Sequence, residues 1–570
     1  MYYYDIIFIT SFFILLIISS VLLGKYMAGL YDGKRTFLSP VIRPLELFIY
    51  RLCGISETEE MTWKRYARAF VIFNATGIAF LFLLQTAQGF LPLNPQRLPG
   101  VRWDTALNAA VSFVTNTNWQ SYGGETTMSY LTQMLGLAVQ NFLSAGIGMA
   151  VVLPLIRGFI SRESETVGNI WVDLTRSVLY ILLPLSIVVC LVLISLGVVQ
   201  TLKPSLIAHT LEGAQQVISV GPAASQIAIK QLGSNGGGFF NANSAHPFEN
   251  PTFLSDLVEN FSILLIPFAF VFMFGYMIKK SRQGRALFMV MLILFIMGLG
   301  IMLYAEYQPS PALTHAGLAA PVNINMEGKE TRFGVLWSAL WSQSTTVTSN
   351  GSVNSMHDSF MPLSGLVQMF NIGIGEVIFG GVGVGLIGML FYVILSMFVA
   401  GLMIGRTPEY LGKKLGPYEM VMAMISMLLP MIALVIFSAI AISTAAGISS
   451  LNNPSSHGLS EILYAYSSAH GNNGSAFAGL NANIVFYNCT LAAGMLIGRF
   501  ATILPALAVA GSLAKKKIVP DSGATFPTTG VMFIIVVISV IIIMGALTFF
   551  PVYSLGPILE HLFLNELKLF

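Results

Sequence analysis

Gly233-Ser234-Asn235-Gly236-Gly-Gly-Phe-Phe-Asn-Ala-Asn-Ser-Ala-His-Pro247 is a small, polar, glycine-rich turn set between apolar segments, and its reading decides the fold. The run before it, Pro222–Leu232, suits a short helix but falls well below the ~20 apolar residues that a bilayer-crossing helix needs. Three more such turns occur: Thr115-Asn116-Thr117-Asn118, Thr348-Ser349-Asn350-Gly351 and Gly471-Asn472-Asn473-Gly474. They end at positions 118, 236, 351 and 474, so the intervals are 118, 115 and 123 residues. Near-equal spacing is the signature of repeated structural units. Each turn follows a short helix-like run (Asp104–Val114, Pro222–Leu232, Phe333–Val347 and Ser460–His470) and lies between two long apolar segments.

Those long segments define the solvent. The chain is 55% hydrophobic and 10% charged, whereas soluble domains carry about 25% charged residues. Ten nearly charge-free stretches qualify as spans: Ile6–Leu23, Phe70–Leu91, Met134–Leu155, Val178–Val199, Ile263–Ile278, Ala286–Tyr304, Val377–Ile404, Val421–Ala446, Ile484–Ser512 and Val531–Val552. The first has no basic region before it and no small-residue cleavage site after it, so it reads as a retained helix. The expected fold is an all-α polytopic membrane protein with four pseudo-symmetric membrane–pore–membrane repeats and one extra helix at each end. Its expected divisions are 1–62 (first helix and linker), 63–165, 166–283, 284–412 and 413–518 (pore repeats one to four) and 519–570 (terminal helix). Of the 29 Lys and Arg, 21 fall in alternate connecting segments, including Lys25 to Arg68, Lys279 to Arg285, the Arg406/Lys413/Lys414 group and Lys515 to Lys517. The positive-inside rule makes these segments cytoplasmic and places both termini outside. A net charge of +3 reflects this bias and gives no reason to expect nucleic acid. Cys53, Cys190 and Cys489 are too scattered for a disulfide framework or a metal site.

Irregular backbone at membrane depth is tolerated only when buried in protein or lining a wet cavity. Four such turns around one axis would create that cavity. Their small residues permit unusual backbone angles, so carbonyl rows can replace the water shell of a potassium ion. The short helices would also direct the negative ends of their dipoles toward a cation. Below the turns, Gly380-Gly381-Val-Gly383-Val-Gly385-Leu-Ile-Gly388 lies in an apolar segment, Phe370–Ile404, too long for one straight helix. It reads either as close helix packing or as a broken helix gating the path. Arg499 sits within a span and reads either as a snorkelling side chain or as a fixed positive charge in the path. Gly383–Gly388 also spells a dinucleotide-binding pattern, but inside an apolar span, where that motif has no meaning. The sequon Asn350-Gly-Ser352 overlaps a turn and reads as chance. The spans contain no cluster of His, Asp or Glu that would suggest a membrane enzyme.

With these elements in place, the chain resembles the KdpA family, the potassium-binding subunits of bacterial KdpFABC complexes. The resemblance runs through the whole chain and is carried by Thr115–Gly124, Gly233–Pro247, Val347–Gly351, Phe379–Gly385 and Ala469–Ser475. It implies potassium selection in a filter made by the four turns. It also implies lateral transfer of the ion to a KdpB-like P-type ATPase subunit in a high-affinity uptake complex of the bacterial cell membrane. KdpC-like and KdpF-like small subunits and membrane lipids are the other implied partners. Potassium is the transported ion, no organic cofactor is implied, and ATP is used only by the partner. In keeping with that, the chain has neither a Walker A motif nor an Asp-Lys-Thr-Gly-Thr phosphorylation loop. A free-standing channel or ion-coupled symporter of the same superfamily is the alternative. The first turn departs from the pattern, with Asn118 where the others carry Gly236, Gly351 and Gly474.

Overall fold

The computed structural model describes residues 3–309, 311, 324–405, 407–519 and 526–566. Arg406, one of the residues read as cytoplasmic, lies outside this set. Among the described residues ten helices are long and apolar enough to cross a membrane: Asp5–Tyr31, Trp63–Phe90, Thr132–Ile160, Ile170–Ser195, Phe253–Met277, Ser281–Glu306, Val384–Met403, Pro417–Ile442, Val485–Lys515 and Val531–Leu555. The chain is therefore an all-α polytopic membrane protein; among the described residues the strands form two small hairpins, Leu206–His209 with Gln215–Ile218 and Glu409–Tyr410 with Lys413–Lys414, beside a few isolated bridges.

Four short helices stand where the helix-like runs were expected: Trp103–Val114, Ala223–Leu232, Gly334–Val347 and Ser455–Gly471. They are almost wholly buried, unlike the peripheral spans, because each packs among several neighbouring helices. Small residues also let the long helices approach one another closely. Gly24 of the first span lies so close to Phe253–Met277 that a Cβ there would come within 2.7 Å of the Ala269 carbonyl. Val485–Lys515, the last span of the fourth unit, packs against Thr132–Ile160 and Trp103–Val114 of the first, so the four units close on one another. The first span leans on the second unit, and Val531–Leu555 covers the third.

Two sequence readings need correction. The helix Phe253–Met277 starts well before the expected Ile263, so the buried Asp256 and Glu259, read as lying ahead of the span, fall inside it. The span expected at Val377–Ile404 is helical only over Val384–Met403; a non-helical segment, 374–383, parts it from a preceding helix, Pro362–Gly373. Left-handed backbone at Gly375 (φ 84°), Glu376 (51°), Phe379 (54°) and Gly383 (85°) interrupts the helix there. Gly385 and Gly388, read as part of that break, belong to the second helix.

Candidate functional site: a closed ring of four turns

Each short helix ends in its turn by the same backbone device. The third residue of the turn donates its N–H to the carbonyl five residues back: Thr117 to Ser112 (2.9 Å), Asn235 to Lys230 (2.9 Å), Asn350 to Thr345 (3.2 Å) and Asn473 to Ser468 (2.9 Å). The second and fourth residues are left-handed in all four turns. At the second position stand Asn116 (φ 64°), Ser234 (46°), Ser349 (56°) and Asn472 (56°); at the fourth, Asn118 (54°), Gly236 (69°), Gly351 (84°) and Gly474 (96°). In an extended strand successive carbonyls alternate in direction; inverting every second residue turns a row of them to one side. Asparagine and glycine are the residues that accept this conformation readily.

Side chains stitch neighbouring turns together. Asn116 Nδ2 donates to the carbonyl of Ser234 (2.8 Å), and Asn118 Nδ2 to that of Gly236 (2.8 Å), joining turns one and two. Asn350 Nδ2 reaches the Lys230 carbonyl (3.1 Å), joining two and three. Ser349 Oγ donates to the Asn472 carbonyl (2.8 Å) and Asn473 Nδ2 to that of Thr345 (2.8 Å), joining three and four. Asn472 Nδ2 then donates to Thr117 Oγ1 (2.9 Å), closing the circuit. Glycine packing follows the same circuit: a Cβ on Gly236 would overlap the Asn350 carbonyl oxygen, one on Gly351 that of Asn473, and one on Gly474 that of Thr117. All sixteen residues of Thr115–Asn118, Gly233–Gly236, Thr348–Gly351 and Gly471–Gly474 thus meet in one ring, although Gly471 is also the last residue of its helix. Asn118 keeps its side chain because its amide points away, to Asn141 Oδ1 (2.8 Å) and the Gly236 carbonyl.

Beneath the ring is a cavity lined by the second residues Asn116, Ser349 and Asn472, by the 374–383 segment, and by Arg499. Gly381 lies under the third turn, where a Cβ would approach that of Ser349 to 3.0 Å, and Gly383 lies against the Gly148 carbonyl. Arg499 is 4% exposed and donates to the Ser144 carbonyl (3.0 Å), so it lines the cavity and does not snorkel. Gly380 is in the non-helical segment with Gly381 and Gly383, and Gly385 opens the helix that follows.

Several buried groups went unremarked in the sequence. Glu376, in the non-helical segment, accepts from Asn473 Nδ2 (2.5 Å) and lines the same cavity as Arg499; a lone carboxylate in so long an apolar stretch was the available signal. Lys230, in the second short helix, has its ammonium buried against Asn243 Oδ1 (3.1 Å), Ser244 Oγ (3.0 Å) and the Glu249 carboxylate. Its own carbonyl receives Asn235 N, Gly236 N and Asn350 Nδ2, so this ion pair backs turns two and three directly. The neighbouring Gln231 links Glu259 (2.7 Å) to Ser352 Oγ (2.9 Å). Gln120 holds the chain just past the second turn through Gly238, accepting from its N–H (2.7 Å) and donating to its carbonyl (3.0 Å). Lys230 and Gln231 reach Glu249 and Glu259 within the same unit, 19 and 28 residues on, but the bonds of Gln120, Asn350, Ser352 and Glu376 span about one repeat, which nothing local in sequence marks.

The KdpA family, described as the potassium-transporting ATPase A subunit, matches residues 10–562. A potassium-transporting ATPase potassium-binding subunit of Rhodospirillum centenum is 54% identical over 96% of this chain and 96% of its own length. Proteins of the same description from Pseudomonas syringae pv. tomato and Pseudomonas aeruginosa are 52% and 51% identical, each over 99% of this chain and over 100% and 99% of their own lengths.

Proposed function

This chain belongs to the KdpA family of potassium-transporting ATPase A subunits, and from that membership we propose that it binds external potassium in the ring of four turns and passes it to a P-type ATPase subunit of the same uptake complex. The observation that carries the reading is the ring itself, sixteen residues with two left-handed positions per turn, stitched into a closed circuit. Such a ring offers many backbone carbonyls and no charged side chain, which suits a dehydrated monovalent cation and gives little to a divalent one. ATP hydrolysis belongs to the partner, and KdpC-like and KdpF-like subunits complete the assembly.

In this reading the pore repeats run 63–165, 166–283, 284–412 and 413–518, with 1–62 and 519–570 as flanking segments. The turns face outward, the basic connecting segments face the cytoplasm, and both termini are outside. Potassium pauses in the cavity below the ring. The 374–383 segment, with Gly380, Gly381, Gly383 and the adjoining Gly385, obstructs direct descent, and the Arg499 charge repels a cation that would continue downward. The test is ATPase activity of the complex purified through this chain. It should rise with potassium, and its half-saturating potassium concentration should shift in variants of Gly236, Gly351 and Gly474. Activity indifferent to potassium, or glycine variants with unaltered potassium dependence, would remove the reading.

A further inference from the structure

Away from the ring, three distant stretches of chain bring one histidine and three carboxylates together. His457 and Glu461 are one turn apart in Ser455–Gly471 and so share a face. Asp358 comes from the loop beyond the third turn, and Glu560 from the C-terminal helix Pro557–Asn565. His457 Nε2 lies 2.9 Å from Asp358 Oδ1, and Nδ1 lies 2.8 Å from Glu560 Oε2. One ligand atom from each of Asp358, His457 and Glu461 falls within 4.8 Å of the others. Glu461 is held in place by the Asn452 N–H (3.2 Å), the Asn453 N–H (3.2 Å) and Asn453 Nδ2 (2.8 Å). The side chains of His457 and Asp358 retain 12% and 9% exposure, so the group is sheltered yet reachable from solvent.

We propose that His457 Nε2, Asp358 and Glu461 form a binding site for a divalent transition-metal cation of the zinc class, with Glu560 orienting the imidazole through Nδ1. One imidazole and two carboxylates are ligands that zinc takes readily, with water in the fourth position, whereas potassium has no preference for nitrogen. A carboxylate on the far ring nitrogen is the usual support of a metal-binding histidine, since it fixes both tautomer and ring orientation. The cation would take the place of any proton shared by Nε2 and Asp358, and that proton would leave to solvent. Bound metal would clamp the loop after the third turn to the fourth short helix, with Glu560 tying in the C-terminal helix. Asp358 N also donates to the Phe477 carbonyl (2.8 Å), so the clamp reaches the strand of chain leaving the fourth turn.

The test uses the intact complex, stripped with chelator and then titrated with Co²⁺ followed by visible absorption, and with Zn²⁺ followed by metal content. One metal per copy of this chain is expected, undiminished by excess potassium, together with a raised melting temperature. Affinity should fall at least about 100-fold in His457→Gln and in Glu461→Gln, and about 10–100-fold in Glu560→Gln, which removes only the orienting group. Absence of stoichiometric metal in the wild-type complex would overturn the proposal, as would wild-type affinity retained in His457→Gln or in Glu461→Gln. Either result would leave an imidazolium–carboxylate ion pair and nothing more.

Discussion

Gly474 adopts φ 96° with the Thr117 carbonyl directly where a side chain would project. Left-handed backbone alone costs a residue with a Cβ about 1–2 kcal/mol, and the overlap adds to that. Gly474→Ala should therefore raise the half-saturating potassium concentration in the ATPase assay by about tenfold or more, since about 1.4 kcal/mol is tenfold in affinity. Asn118 is the control within the same ring. Asn118→Gly keeps the backbone angle and loses two hydrogen bonds, each worth about 1 kcal/mol, so its shift in the same assay should be the smaller of the two. Lys230 gives a different kind of prediction. Lys230→Met strands the Glu249 carboxylate in a buried site, a change that costs about 3–5 kcal/mol. The loss in melting temperature should be partly recovered in the Lys230→Met/Glu249→Gln double variant, and additive losses would show that the pair does not act as a unit.

At the scale of elements, the interrupted helix of the third unit is where sequence and structure part most instructively. Five glycines in nine residues weaken any helix, each by roughly 1 kcal/mol relative to alanine, yet the chain is non-helical only up to Gly383. What locates the break is packing: Gly383 lies against the Gly148 carbonyl and Gly381 beneath Ser349. Gly375 has the same left-handed backbone (φ 84°) with nothing near its missing side chain. Gly375→Ala should thus cost only the backbone term, whereas Gly383→Ala must also displace a neighbouring helix. Potassium uptake by proteoliposomes of the complex should fall more in Gly383→Ala than in Gly375→Ala, with half-saturation nearly unchanged in both. Equal effects would show that the segment is not held by that contact. In the same vesicles with ATP withheld, Arg499→Met should raise passive potassium flux, and Arg499→Lys should not.

For the molecule as a whole, ends of segments distant in sequence are held in register around His457. His457 lies between Asp358 and Glu560, with Glu461 one turn further along its own helix. Burial pulls its pKa down, but the hydrogen bonds to Asp358 and Glu560 outweigh burial and lift it from 6.5 to about 10. A raised folded-state pKa means that the stabilisation is complete below the unfolded value near 6.5 and is lost as pH climbs through about 10. The melting temperature of the metal-free complex should therefore fall between about pH 7 and 10 by more in the wild type than in His457→Gln. Parallel curves would show that the ion pairs contribute nothing to holding the C-terminal helix.

Much of this is legible in the sequence. Ten spans, four units at near-equal spacing and the four polar turns follow from local composition and periodicity, because a bilayer punishes an exposed peptide group wherever it lies along the chain. The unusual angles of the turns were legible too, since Asn118, Gly236, Gly351 and Gly474 are residue types that tolerate them. The sequence could not say that Asn472 reaches Thr117, that Lys230 and Glu249 back two turns at once, or that Glu376 and Arg499 line one cavity. Nor could it gather Asp358, His457, Glu461 and Glu560 from three segments. Those facts depend on which repeats become neighbours and how closely their backbones approach, and that is settled only when all four units pack at once and each glycine meets the carbonyl of the next turn.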